Sequence, residues 1–276
     1  MPTFTSLMTD TKNFFKNNFM IIIFVIVTVS LLTQLFNYLF LPTIEINNQF
    51  EAIINQINAQ KTDAASLDNI MQTISQLPDI EKQQFTSYLL NYVFKICLVL
   101  FINNIITLSC IGSLIRILSV NQFCGSSLFI NSLRLIPQIA IFIICAIPYF
   151  MLLSSILLII KPLAPILFLL AIVIYMLTYV VFTAVIIDAR SSGKFLASLK
   201  NTLLFIKQQT QLILMIFLFW LLATMALNTF FNLMGNSMIV IFFNTIAENL
   251  LVFTSLCCIY RLYLLTQQVS PYDTRH

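Results

Sequence analysis

Six uninterrupted apolar runs constrain this chain more than any other feature, at residues 19–41, 88–114, 135–160, 163–187, 212–231 and 238–262. Each can cross a hydrocarbon core ~30 Å thick, which takes about 20 residues of helix. A soluble core cannot hide so much apolar surface. Of 276 residues, 59% are hydrophobic and 9% are charged, against about a quarter charged in soluble domains. The runs are continuous, whereas a lipid-facing β-barrel alternates residue by residue. Helices remain, because they satisfy their backbone polar groups within the segment. The expected fold is an all-α polytopic membrane helix bundle, one membrane domain over residues 1–276, with six transmembrane helices and interfacial amphipathic helices.

Local signals refine this plan. Lys161-Pro162 alone separates the third and fourth runs and predicts a tight hairpin, since proline ends one helix and suits the first turn of the next. Pro137 and Pro148 lie in the third run, and a kink is expected near Pro148. The first run is too long for a signal-peptide core and no small-x-small site follows it, so it reads as an uncleaved span. Lys12, Lys16, Arg116, Arg134, Arg190, Lys194, Lys200, Lys207, Arg261 and Arg275 fall on one side of the predicted membrane. Lys61, Lys82 and Lys161 fall on the other, and Lys95 is inside a span. This asymmetry predicts cytoplasmic N- and C-termini. The net charge of +4 follows from threading and gives no reason to expect nucleic acid as a partner.

The loop at 42–87 is predicted outside, with a net charge of −4. Ile46, Phe50, Ile53, Ile54 and Ile57, then Leu67, Ile70, Met71, Ile74 and Leu77, recur at helical spacing and predict two short amphipathic helices there. On the inner side, FTSLMTDTKNFFKNNFMIIIF leads into the first run as FLASLKNTLLFIKQQTQLILMIF leads into the fifth. Each carries Ser-Leu, a threonine, an aromatic or apolar pair, a lysine and then amides. GSSLFINSLRLIPQIAIFI leads into the third run in the same style. This predicts three units, each an interfacial helix followed by a two-span hairpin. The interfacial helices are expected at 5–18, 126–134 and 194–208. Their apolar residues would sink below the headgroups while Lys12, Lys16, Lys194, Lys200 and Lys207 anchor to lipid phosphates. Membrane lipids are therefore the expected partners, with other envelope membrane proteins as further candidates.

No motif for nucleotide, metal or acyl chemistry is present, and the one histidine is His276. The six cysteines, five of them in apolar runs, form no metal-spaced pair and read as small apolar residues. No catalytic residue, metal or cofactor is expected. The sharpest chemical feature is charge inside lipid: Lys95 in the second span and Glu248 in the sixth. Asn91 lies one turn before Lys95, and Asn244 one turn before Glu248. Asn104 extends the polarity of the second span. Both spans run inward, with Lys95 ~10 Å and Glu248 ~15 Å below the outer boundary, so the two are candidates for a mutual pair. Three functions stay open: a non-enzymatic organiser of envelope components, a small carrier with a polar site around Lys95 and Glu248, and a membrane enzyme. A dry, packed bundle with a grooved surface favours the first. A wet cavity around Lys95, Glu248 and Asn104 favours the second, and carboxylates converging at one face favour the third.

The stretch Asp10-Thr11-Lys12-Asn13-Phe14-Phe15-Lys16-Asn17-Asn18-Phe19-Met20 resembles the start of YciC-type bacterial inner-membrane proteins. Asn244-Thr245 and Arg261-Leu262-Tyr263-Leu264-Leu265 resemble that family's last span and its Arg-Leu-Tyr exit, and Leu77-Pro78-Asp79-Ile80-Glu81-Lys82-Gln83-Gln84 its acidic approach to the second span. The resemblance implies a six-span protein of the bacterial inner membrane, and it assigns no catalytic or binding residues.

Overall fold

The computed structural model describes residues 3–40, 79–120, 124–157, 164–188, 195–235 and 237–269. Among them every regular element is an α-helix: α1 (Phe4–Asn17), α2 (Phe19–Phe40), α3 (Asp79–Ser119), α4 (Gly125–Ile144), α5 (Ala146–Leu157), α6 (Ala164–Ile187), α7 (Phe195–Met234) and α8 (Met238–Val269). Six stretches are long and apolar enough to cross a membrane: Phe19–Phe40, Leu89–Ser119, Gly125–Ser155, Pro165–Ile187, Phe195–Met234 and Met238–Gln267. The chain is a multi-pass membrane protein. Its exposed Phe24, Leu169, Leu222 and Ile239 suit acyl chains as solvent.

Several helices overrun the apolar runs, reaching Ser119 and Gln267 and starting as early as Gly125 and Phe195. Extending a formed helix needs no new nucleation, so it propagates through the amphipathic flanks. The predicted loop helices at 46–57 and 67–77, the Lys161-Pro162 hairpin and Lys194 lie outside the described residues. Of the predicted outside loop, residues 79–87 form the first turns of α3. The expected kink near Pro148 is present at Cys145, whose backbone stays in the right-handed helical region (φ −63°, ψ −15°). Pro148 has no N–H for the Ile144 carbonyl and its ring would strike it, so α4 ends at Ile144 and α5 starts at Ala146. Pro137 lies within α4 without ending it. Gly235, at φ 91°, makes the turn between α7 and α8 in a conformation that favours glycine.

The chain divides into two compact units, Leu35–Asn103 and the remainder, Met1–Gln34 with Asn104–His276. In the smaller unit the Phe36 and Phe40 rings lie 4.5 Å apart and Asn103 Nδ2 donates to Asn37 Oδ1.

The larger unit repeats itself. From Phe4 to Ile22 and from Phe195 to Ile213, the order of buried, half-buried and exposed residues is the same at every position. This register needs no gap. It pairs Phe4 with Phe195, Thr11 with Thr202, Phe14 with Phe205 and Lys16 with Lys207. The Ser-Leu match in the sequence is one residue out, because burial pairs Leu7 with Ser198. Both copies also break at the same place: Asn18 (φ −117°, ψ 14°) and Gln209 (φ −125°, ψ 26°) are non-helical. Side chains take up carbonyls around each break. Asn18 Nδ2 donates to the Phe14 carbonyl at 2.9 Å and Thr210 Oγ1 to that of Ile206 at 2.6 Å. An unbroken α7 would be about 60 Å long, twice the hydrocarbon core, so its first part must turn aside.

The third copy is shorter. Residues 130–137 follow the burial order of 9–16, and 139–142 that of 22–25, with four residues fewer between them. About one helical turn is missing, and a single amide, Gln138, stands where the other two copies carry a pair. Residues 126–134 are thus the first turns of α4, which corrects the expectation of a separate interfacial helix there. The closing ends repeat too. Residues 111–120 and 256–265 share one burial order, and 183–188 match the first six positions of both. This sets Gly112, Ala184 and Cys257 in equivalent places, and likewise Arg116, Asp188 and Arg261.

Each lead segment packs on the closing end of the preceding copy, and the first packs on the last. α1 lies on α8, where Cys258 Sγ is 3.3 Å from Thr11 Oγ1. α4 lies on α3, where Ser113 and Ser132 both donate to the Leu128 carbonyl at 2.7 and 2.8 Å. α7 lies on α6, with the Phe182 and Phe195 rings 5.4 Å apart. Small residues permit these crossings. A Cβ on Gly112 would stand 3.1 Å from Leu135 Cδ1 and 3.2 Å from Ile187 Cγ1. The three closing ends are the buried centre, including Leu114, Ile115, Ile187, Leu256 and Leu262.

Candidate functional site

The predicted intramembrane residues fall in both units. Lys95 and Asn91 are exposed on α3 in the smaller unit. Glu248 and Asn244 are half-buried on α8 in the larger one, where Asn244 Nδ2 donates to Glu248 Oε1 at 3.2 Å. The Asn244 Oδ1 is buried with no hydrogen-bond partner among the described residues. Asn104 Oδ1 accepts from the Tyr179 hydroxyl at 2.5 Å. Asn249, which the sequence did not single out, donates to Ser30 Oγ at 2.8 Å. It follows Glu248 in sequence but lies on another face of α8, because successive helical residues are turned by about 100°. Asn104 and Asn249 thus each tie two helices together through an amide–hydroxyl hydrogen bond.

Of the predicted interfacial anchors, Lys12 and Lys16 are exposed on α1, and Lys200 and Lys207 on the first part of α7. Their helices are amphipathic. Thr3 caps α1 with a reciprocal pair, Ser6 N to Thr3 Oγ1 at 3.2 Å and Thr3 N to Ser6 Oγ at 3.1 Å. Lys16 in its last turn complements the helix dipole.

The charged centre lies where α1 meets α8. Asp10 receives two hydrogen bonds from Arg261, one from Nε and one from Nη2 at 2.9 Å. Arg261 also stands over the Phe14 ring, 4.9 Å from its centroid. Phe205, the counterpart of Phe14, packs edge-on to Tyr263 at 5.3 Å. Two equivalent phenylalanines thus hold neighbouring positions of the Arg-Leu-Tyr segment from two lead helices. Among the described residues, no three His, Cys, Asp or Glu side chains come together.

Two recesses open beside the lead helices. The larger, of about 220 Å³, is lined by Phe142, Cys145, Tyr149, Ile174, Tyr175, Thr178, Phe195 and Leu199. Its hydroxyls are already used. Tyr175 donates to the Phe142 carbonyl at 3.1 Å, Tyr149 to that of Ala171 at 3.4 Å and Thr178 to that of Ile174 at 2.8 Å. Ring faces, methyl groups and the Cys145 thiol are what the groove presents. The smaller, of about 20 Å³, lies among Phe4, Met8, Ile216, Phe219, Trp220, Leu251 and Cys258. Neither a known protein family, nor a curated protein, nor a solved structure matches this chain.

Proposed function

We propose that this is a non-enzymatic protein of the bacterial inner membrane, of the YciC-type kind, with both termini in the cytoplasm, which organises or supports lipid or protein components of the envelope. The observation that carries the reading is the close-packed apolar centre of the larger unit beside an open, apolar groove. The basic residues on amphipathic helices α1 and α7 suit a surface of anionic headgroups, and the inward orientation follows from the same charges. The test is purification of the native protein in lipid nanodiscs, with identification of what travels with it. Phospholipids or envelope proteins at fixed stoichiometry are expected. Turnover of a bound small molecule by the purified protein would overturn it.

The Asn244 Oδ1, buried beside Glu248 and without a hydrogen-bond partner among the described residues, favours one second reading, a small carrier. That reading needs Lys95 and Glu248 to act together. Lys95→Met alone would then lower thermal stability, and Glu248→Gln added to it would restore part of the loss. Strictly additive losses, with no solute flux in proteoliposomes, would exclude the carrier.

A further inference from the structure

The two recesses occupy the same place in two copies of the repeat. Phe4 and Met8 of the small one correspond to Phe195 and Leu199 of the large one in the gapless register of the lead helices. On the first span, aligning 22–25 with both 213–216 and 139–142 sets Ile216 against Phe142 and Phe219 against Cys145. On the second span, aligning the closing ends sets Leu251 against Thr178. These counterparts line the two recesses in turn. The difference in volume has a plain cause. Phe219 and Trp220 narrow the small recess from its wall, and their counterparts are Cys145 and Ala146, at the kink beside Pro148. One copy plugs its groove with its own aromatic rings. The other leaves the same groove open.

We propose that the open groove binds one acyl chain of an anionic phospholipid, which takes the place that Trp220 holds in the other copy. The occupant is apolar because every hydroxyl on the lining already donates to a backbone carbonyl, and the equivalent space takes an indole whose Nε1 finds no hydrogen-bond partner among the described residues. It is a lipid chain because the groove lies beside the membrane-crossing segments Gly125–Ser155 and Pro165–Ile187, where acyl chains are the solvent. The headgroup is anionic because exposed Lys200 follows Leu199 on the lead helix, whereas the plugged copy has Thr9 at the corresponding position. This deepens the reading of the chain as a lipid-contacting membrane protein and is independent of any protein partner.

The experiment counts phosphatidylglycerol molecules retained by the full chain in native mass spectrometry after release from nanodiscs. Ala146→Trp transfers the plug and is expected to retain one lipid fewer than the parent. Trp220→Ala opens the second groove and is expected to retain one more. Leu218→Trp, on an exposed site outside both recesses, is expected to change nothing. Lys200→Gln is expected to reduce the preference for phosphatidylglycerol over phosphatidylcholine while keeping the lipid count. If Ala146→Trp does not fold, Leu199→Trp narrows the same groove from the opposite wall. Equal lipid counts in the plugged, opened and parent proteins would overturn the site. Loss of protein partners with these differences intact would overturn only the wider reading.

Discussion

Arg261 shows how much one side chain carries that its sequence position does not advertise. It reads as one more basic residue at the inner end of a span. In the fold it donates twice to Asp10 and covers the Phe14 ring, tying the first lead helix to the last helix of the chain. The equivalent of Asp10 is Asn131 in one copy and Asn201 in the other, so the position accepts an amide. Asp10→Asn should therefore cost less than about 1 kcal/mol, in the range of partly exposed ion pairs. Arg261→Met should cost more, because it removes both the hydrogen bonds and a cation–π contact of about 0.5–1 kcal/mol. Thermal unfolding in one detergent checks the order. Equal losses would mean that Phe14 gains nothing from the guanidinium. Lys95 and Glu248 were conspicuous in the sequence because charge within an apolar run is rare.

At the scale of the element, the break between lead helix and span was partly legible. The amides of Asn17-Asn18 and Gln208-Gln209 interrupt the apolar pattern, and side chains at both breaks take up local carbonyls. The kink at Cys145 could be placed only near Pro148, because its exact position depends on which carbonyl the ring would strike. The third lead segment was misread. Its composition matches the other two, yet it is four residues shorter and runs straight into α4. Composition reports the environment, whereas length decides whether a helix must turn. We predict that spin labels placed one by one along 195–208 alternate between lipid and water accessibility with a period near 3.6 residues. The same scan along 126–134 should pass into continuous lipid accessibility toward α4, without the reversal that a surface helix shows. Identical profiles for the two segments would contradict the difference in length as the cause.

At the scale of the whole molecule, six spans were visible in composition alone, while the order of their packing was not. The triplication was faintly visible, and burial sharpens it: the gapless register between Phe4–Ile22 and Phe195–Ile213 rests on which faces are covered more than on which residues are identical. In the larger unit, three copies in one chain form a ring in which each lead segment covers the closing end before it, so the first lead helix closes the circle on α8. Its Met8 and Thr11 shield Cys258, with sulfur and oxygen contacts of 3.8 and 3.3 Å. Cys110, on the closing end of the first copy, is instead covered from α4 through Ser132. Removal of residues 1–17 should therefore open one joint and leave the others shut. The expected result is that methyl methanethiosulfonate modifies Cys258 in the truncated protein about as fast as the exposed Cys124, while Cys110 keeps the protection it has in the full chain. Equal gains at Cys258 and Cys110 would mean that the truncation unfolds the bundle as a whole. Continued protection of Cys258 would mean that α1 rests on the last helix without sealing it, and the ring would not be closed by its first member.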